Sequence, residues 1–217
     1  MTSGVPRLNA LQLDALSELV NLGVSRAAAS LHEMIGHQVV LSVPNVGLVS
    51  HKQAVSMVEN RDVRQFIAVR ESFEGPIAGR ALLIFPNANG IELVRALTGG
   101  HLTLDEIIEF EQEALAETGN IILNGCLATI ANMLWCSLRT SIPEVLHGSG
   151  ETLFNAGITE GTDDLVLLLY ITFAVHERDI TGYIALLMDT SSVISLVKLL
   201  NQFIERSAGA GELQPHA

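Results

Sequence analysis

LDALSELVNLGVSRAAASLHEMIGHQVVLSVP, residues 13–44, lies without a gap over QEALAETGNIILNGCLATIANMLWCSLRTSIP, residues 112–143, at an offset of 99. The overlay matches Ala15 to Ala114, Leu16 to Leu115, Met34 to Met133 and Ser42 to Ser141. It also matches a polar pattern: Asp14, Glu18 and Asn21 precede Pro44 by a gap of twenty-two residues, and Glu113, Glu117 and Asn120 precede Pro143 by the same gap. Further on, residues 74–97 lie over residues 177–200 at an offset of 103, so about four residues were inserted between the two blocks. A chain that repeats itself over half its length is read as two copies of one supersecondary unit before any local propensity is weighed.

Each copy shows the same order of elements. Apolar residues at helical spacing predict a long amphipathic helix from about Asn9 to Gly36 and another from about Asp105 to Cys136. Short strands are expected at Gln38 to Val43 and at Arg139 to Ile142. Two hairpins should follow: Val63 to Ser72 with Ile77 to Phe85, and Leu165 to Val175 with Ile180 to Met188, turning at Phe73–Pro76 and His176–Asp179. Closing helices are expected at Ile91 to Leu97 after Asn87-Ala88-Asn89, and at Val193 to Ile204 after Thr190-Ser191-Ser192, whose side-chain oxygens suit an N-cap.

Two α-β-β-β-α repeats, about 9–99 and 105–204, therefore predict an α+β fold. It is one pseudo-twofold-symmetric domain over 8–206, a mostly antiparallel sheet carrying long motif helices, because no linker-like segment separates the halves. The small, polar tail, 207–217, is expected to be disordered. A monomer is expected, since the internal pseudo-twofold already supplies what a dimer of half-length chains would.

With 217 residues, 48% hydrophobic, the chain can bury a substantial core. A net charge of -12, with only 12 Lys and Arg and no basic run, argues against nucleic acid or an anionic membrane as partner. The N-terminus lacks a signal-like pattern, and polar residues interrupt the long helices before a membrane-spanning length, so a cytoplasmic protein is expected. Cys126 and Cys136, ten apart on one expected helix, are too distant to pair and read as reduced core thiols.

Residues three and four apart share a helical face, so Asp14, Glu18 and Asn21 form one polar line, as do Glu113, Glu117 and Asn120. One such line is ordinarily solvated surface, but recurrence at matched positions asks for a reason, above all for Asn, a poor helix-interior residue. Neither line holds a nucleophile with a base or a set of metal ligands, and the seven histidines are scattered. Carboxylate with amide suits positioning: an Asn amide can donate to and accept from a water, and Glu can pair with a partner's Lys.

Here the chain resembles the CheC, CheX and FliY phosphatases of bacterial and archaeal chemotaxis, whose motif is Asp/Ser-x-x-x-Glu-x-x-Asn, twenty-two residues, Pro. Two complete copies in a chain of this length look most like the CheC family, and the resemblance runs from about Leu11 to Ile204. It implies dephosphorylation of a phosphorylated CheY-type response regulator. Asn21 and Asn120 would orient the attacking water, and Glu18 and Glu117 would pair with the regulator's active-site Lys. Asp14 and Glu113 would add binding contacts, and Pro44 and Pro143 would be structural, at strand ends. It implies no cofactor of the chain's own, Mg²⁺ belonging to the regulator, and CheD as a possible further partner. The copies differ: Glu113 stands where the family has Asp or Ser, and Val20 is bulkier than the Gly usual before Asn, which is expected to limit close approach at the first site. The competing readings are a non-catalytic adaptor that binds a receiver domain or CheD, and a structural duplication without chemistry.

Overall fold

The structure, a computed structural model, describes residues 7–36, 38–59, 65–97, 103–156, 165–175 and 178–211. The first motif helix, α1 (Ala10–Ile35), begins in a capping box: the Asn9 side chain accepts from the Gln12 N–H, and the Gln12 side chain accepts from the Asn9 N–H. Two of the backbone donors that a helix start leaves open are thereby satisfied. The second motif helix, α4 (Leu104–Met133), starts the same way on Thr103 and Glu106. Between and after them come β1 (Val39–Ser50), α2 (His51–Glu59), β2 (Phe66–Glu74), β3 (Gly79–Pro86) and α3 (Asn87–Leu97), then β4 (Arg139–Thr140), β5 (Glu144–Gly148), α5 (Gly150–Asn155), β6 (Leu165–Val175), β7 (Arg178–Met188) and α6 (Thr190–Gly211).

The strands form one sheet in the order β1-β6-β7-β3-β2-β4, with β5 also on β2, and all these ladders are antiparallel. Interchanging the halves leaves this order unchanged. The first strand of each half pairs with a hairpin of the other half: β1 on β6, and β4 with β5 on β2. Both faces are covered. Ile67, Val69, Leu167 and Leu169 join the larger core with α1, α3, α4 and α6, while Phe66, Ala68, Val166 and Leu168 join a smaller core with α2 and α5. This is why β2 and β6 read as continuous apolar runs rather than alternating ones.

The α+β class and the antiparallel sheet are as the repeat implied; the element count is not. Each half carries an extra short helix, α2 or α5, after its first strand. In α2 only Ala54 and Val58 are buried, too few for a periodicity to show. The strand expected to end at Val43 runs on to Ser50, so Pro44 lies inside β1 and not at its end. The register shifts there, between Ser42 and Asn45, and such a bulge at an edge strand accommodates a residue with no N–H. In the second half the chain breaks instead, leaving a two-residue β4 and a separate β5 on either side of Pro143. The closing helices start earlier than expected, at Asn87 and Thr190; Asp189 caps the latter, accepting from the Ser192 N–H at 2.7 Å. Helix α6 continues to Gly211, five residues into the tail expected to be disordered. The start of the expected strand at Val63 and the turn at His176 and Glu177 lie outside the described residues.

The apolar length of α4 exceeds the expectation that polar residues would interrupt it. Phe110–Met133 has a hydropathy of 1.2 and the length to cross a bilayer, but 56% of that window is buried inside this fold. Where α4 ends, Trp135 adopts a left-handed backbone (φ 56°), unusual for a bulky residue, and its exposed ring lies 5.0 Å from the Arg206 guanidinium.

One polar residue stands out in the larger core. Glu71, on β2, is fully buried, and neither carboxylate oxygen has a hydrogen-bond partner among the described residues. Arg70 pairs with Glu144 as Tyr170 pairs with Asn45, so Glu71 stands where β6 has the buried, apolar Ile171. Burial disfavours its charged form and pushes its pKa up to about 7. Below about pH 7 the folded chain therefore holds mainly the protonated acid. Its contribution to stability is present in full below the ordinary carboxyl value of 4.5 and is lost as pH rises through about 7. Glu71→Gln, near-isosteric and uncharged, should leave stability almost unchanged at acidic pH and raise it by about 3 kcal/mol at pH ~8. Urea unfolding at both pH values checks this; an equal gain at both would mean that Glu71 ionisation carries no cost.

Candidate functional site

The two motif helices touch almost backbone to backbone. A Cβ added to Gly23 of α1 would come within 2.8 Å of the Cys126 Cα and 3.2 Å of the Gly125 carbonyl on α4. Ala15, Leu16, Leu19, Val20, Val24 and Ala27 of α1 face the core, as do Leu115, Ile122, Leu123 and Cys126 of α4. The thiol of Cys126 is fully buried, which pushes its pKa up to about 12 and marks it as inert packing.

What the helices leave outward is the repeated polar line. Asp14, Glu18, Asn21, Glu113 and Glu117 are exposed, and Asn120 is half-buried. The structure thus brings all six sequence-predicted side chains to the outer faces of two adjoining helices. None of the four carboxylates has a hydrogen bond or ion pair among the described residues. They are left available for a cation from outside.

The two asparagines are held differently. Asn21 donates from Nδ2 to the Ser17 carbonyl at 2.9 Å, one turn back, and its Oδ1 accepts from the Val43 N–H at 3.3 Å. The fixed gap to Pro44 now has a physical meaning at the first site: it places the residue before the proline, at the bulge, where its N–H is off the ladder and points to Asn21. Val43 is correspondingly tucked in, 5% exposed. At the second site the matching residue, Ile142, is 85% exposed. There the chain between β4 and β5 is fastened to β2 by Ser141, whose N–H donates to the Ser72 carbonyl and whose Oγ accepts from the Ser72 N–H, each at 2.9 Å. Asn120 is engaged instead by Asn124, which donates from Nδ2 to the Asn120 Oδ1 at 2.7 Å. Sequence reasoning missed these supports. Asn124 could have been found from its i,i+4 relation to Asn120; the Val43 N–H depends on a bulge that composition does not announce.

The expectation for Val20 is overturned. It is 1% exposed and faces the core, so it cannot obstruct anything docking on the outer face. Its counterpart Gly119 also faces inward: a Cβ there would lie 2.5 Å from the Cβ of Val69 on β2. The residue before Asn sets how closely the helix sits on the sheet.

In comparison with known proteins, a family model described as the CheC-like family matches residues 11–48. The CheY-P phosphatase CheC of Bacillus subtilis (strain 168) is 24% identical over 188 residues, covering 83% of this chain and 90% of that protein. Among solved structures, FliY of Thermotoga maritima superposes with a TM-score of 0.69 at 15% identity, covering 92% of this chain and 98% of that one. The FliM middle domain of H. pylori superposes with a TM-score of 0.57 at 9% identity, covering 88% and 99%. These two likenesses establish the fold.

The close approach of Gly119 yields a prediction. Gly119→Ala forces α4 off β2 and should cost about 1–3 kcal/mol despite the better helix propensity of Ala, the range for overpacking a core. The midpoint of urea unfolding measures it, and a stabilised variant would show that the helix is free to lift.

Proposed function

We propose that this chain, whose residues 11–48 match the CheC-like family model, is a phosphatase that dephosphorylates a phosphorylated CheY-type response regulator, using both motif helices. The observation that carries this reading is the pairing, on two exposed faces, of an Asn amide with carboxylates that have no partner among the described residues. The name of the Bacillus subtilis relative, a CheY-P phosphatase, supports the substrate.

On this reading the receiver brings the aspartyl phosphate, its Mg²⁺ and an active-site Lys, and this chain contributes placement. Glu18 or Glu117 pairs with the receiver's Lys and fixes the helix in register, with Asp14 or Glu113 adding contact a turn away. The adjacent Asn21 or Asn120 amide orients a water in line with the acyl–phosphate bond. The water oxygen forms the new bond to phosphorus, the bond from phosphorus to the Asp oxygen breaks, and the receiver's carboxylate and free phosphate are released. An Asn suits the task because its amide offers an acceptor for one water proton and a donor to a phosphoryl oxygen. Ordering one nucleophile in this way is worth about 10² in rate, or ~2.7 kcal/mol of barrier.

The second reading is a non-catalytic adaptor that binds a receiver or CheD through the same faces. The likeness to the FliM middle domain, which concerns the fold alone, leaves room for it.

Loss of phosphate from a labelled CheY-type receiver separates the two. The unaltered chain should accelerate it, Asn21→Ala and Asn120→Ala should each lower the rate, and the double variant should return it to the receiver's own rate while still folding. Binding of the phosphorylated receiver with an unchanged phosphate lifetime would establish the adaptor.

A further inference from the structure

The two sites hold their asparagines by chemically different means, and this distinguishes a residue that the repeated motif does not contain. At the first site both ends of the Asn21 amide are fixed by backbone: the Ser17 carbonyl takes one Nδ2 hydrogen, and the Val43 N–H occupies one lone pair of Oδ1. Backbone groups in a helix and at a bulge do not rotate away, so this amide plane is set before anything docks. At the second site no backbone N–H reaches Asn120 among the described residues. The chain before Pro143 is fastened to β2 through Ser141, and the exposed Ile142 occupies the place of Val43. The Asn120 amide is held by the Asn124 side chain at 2.7 Å.

Position 124 corresponds to Ser25 in the first copy, and the two residues do different work. Ser25 donates from Oγ to the backbone carbonyl of Asn21 at 2.7 Å and leaves the amide alone. A hydroxyl bonded back onto its own helix does not restrain the Asn amide, whereas an amide bonded to the neighbouring side-chain oxygen at i,i+4 fixes it. We infer that Asn124 is a positioning residue of the second site, fixing the amide of Asn120 as the Val43 N–H fixes that of Asn21. This rests on the phosphatase reading above. With Oδ1 of Asn120 held by Asn124, its second lone pair and both Nδ2 hydrogens are directed to the docked receiver and its water. Glu117, which would hold the receiver, lies one turn away and is untouched by Asn124, so the loss of Asn124 acts on turnover and not on docking.

The test uses the full chain carrying Asn21→Ala, so that the second site alone reports, and measures phosphate loss from the receiver over a range of receiver concentrations. Adding Asn124→Ala should lower kcat about tenfold, the factor for one well-placed hydrogen bond, with KM changed less than about twofold. Asn124→Ser should behave like Asn124→Ala, because its hydroxyl would bond to the Asn120 backbone as Ser25 does to Asn21. Asn124→Gln, which keeps an amide donor, should recover part of the loss. In the chain with Asn21 intact, Asn120→Ala with Asn124→Ala should cost no more than Asn120→Ala by itself, since the second residue acts through the first. An unaltered kcat in the Asn124→Ala chain, a KM effect without a kcat effect, or full additivity with Asn120→Ala would each overturn the inference. If instead Asn120→Ala itself leaves phosphate loss unchanged, the catalytic reading of the second site fails and the role of Asn124 falls with it.

Discussion

The structure depends on an exchange of strands between its halves. Among the described residues neither β1 nor the β4–β5 pair has a ladder within its own repeat; each is bonded to the hairpin of the other. With β3 paired to β7 in the middle, a half taken alone would be a two-stranded hairpin with a loose strand and helices, which is marginal in water. The duplication is therefore one folding unit by construction. The exchange also positions the site. It lays α1 and α4 in one layer over the sheet, close enough that Gly23 has no room for a side chain, and so brings two motifs about a hundred residues apart onto adjoining helices.

Much of this was legible in the chain because it was written twice. The helix faces, the outward polar lines and the antiparallel hairpins follow from a repeat plus periodicity. What the sequence hid shares a physical cause: it depends on contacts between elements. Helix α2 is held by Ala54 and Val58 under a sheet whose second face could not be foreseen. The length of β1 depends on a bulge that tolerates Pro44, and a proline in a strand pattern ordinarily argues for its end. The bulk of Val20 relative to glycine has no bearing on approach from outside, because the side chain lies in the core. The periodicity that buries Leu16 and Leu19 already turns Val20 inward as well.

The copies have diverged most where their helices meet the sheet. Beneath α4, β2 presents Val69 so closely that only glycine fits at 119, and two residues along the same face it carries the buried acid Glu71. The corresponding positions of the first site are Val20 on the helix and the apolar Ile171 on β6. The second site is thus seated tighter and carries a carboxyl group whose pKa burial pushes up to about 7, while the first is packed with ordinary hydrocarbon. A buried group of this kind opposes stability, and well-packed hydrocarbon of similar volume would stabilise more.

The supports of the asparagines follow from a difference in the first strand of each half. In the first copy an unbroken β1 carries a bulge, and its one displaced N–H, at Val43, lies within reach of Asn21. In the second copy the strand is cut at the same place, Ser141 takes over the pairing with Ser72, and Ile142 turns to solvent. No displaced N–H is offered to Asn120. An amide left without a partner on a helix face would sample several rotamers. An asparagine one turn along is the shortest substitute the helix itself can supply, and that is the residue found at position 124. The orientation of the two asparagine amides thus rests on a strand irregularity in one copy and on a helix neighbour in the other.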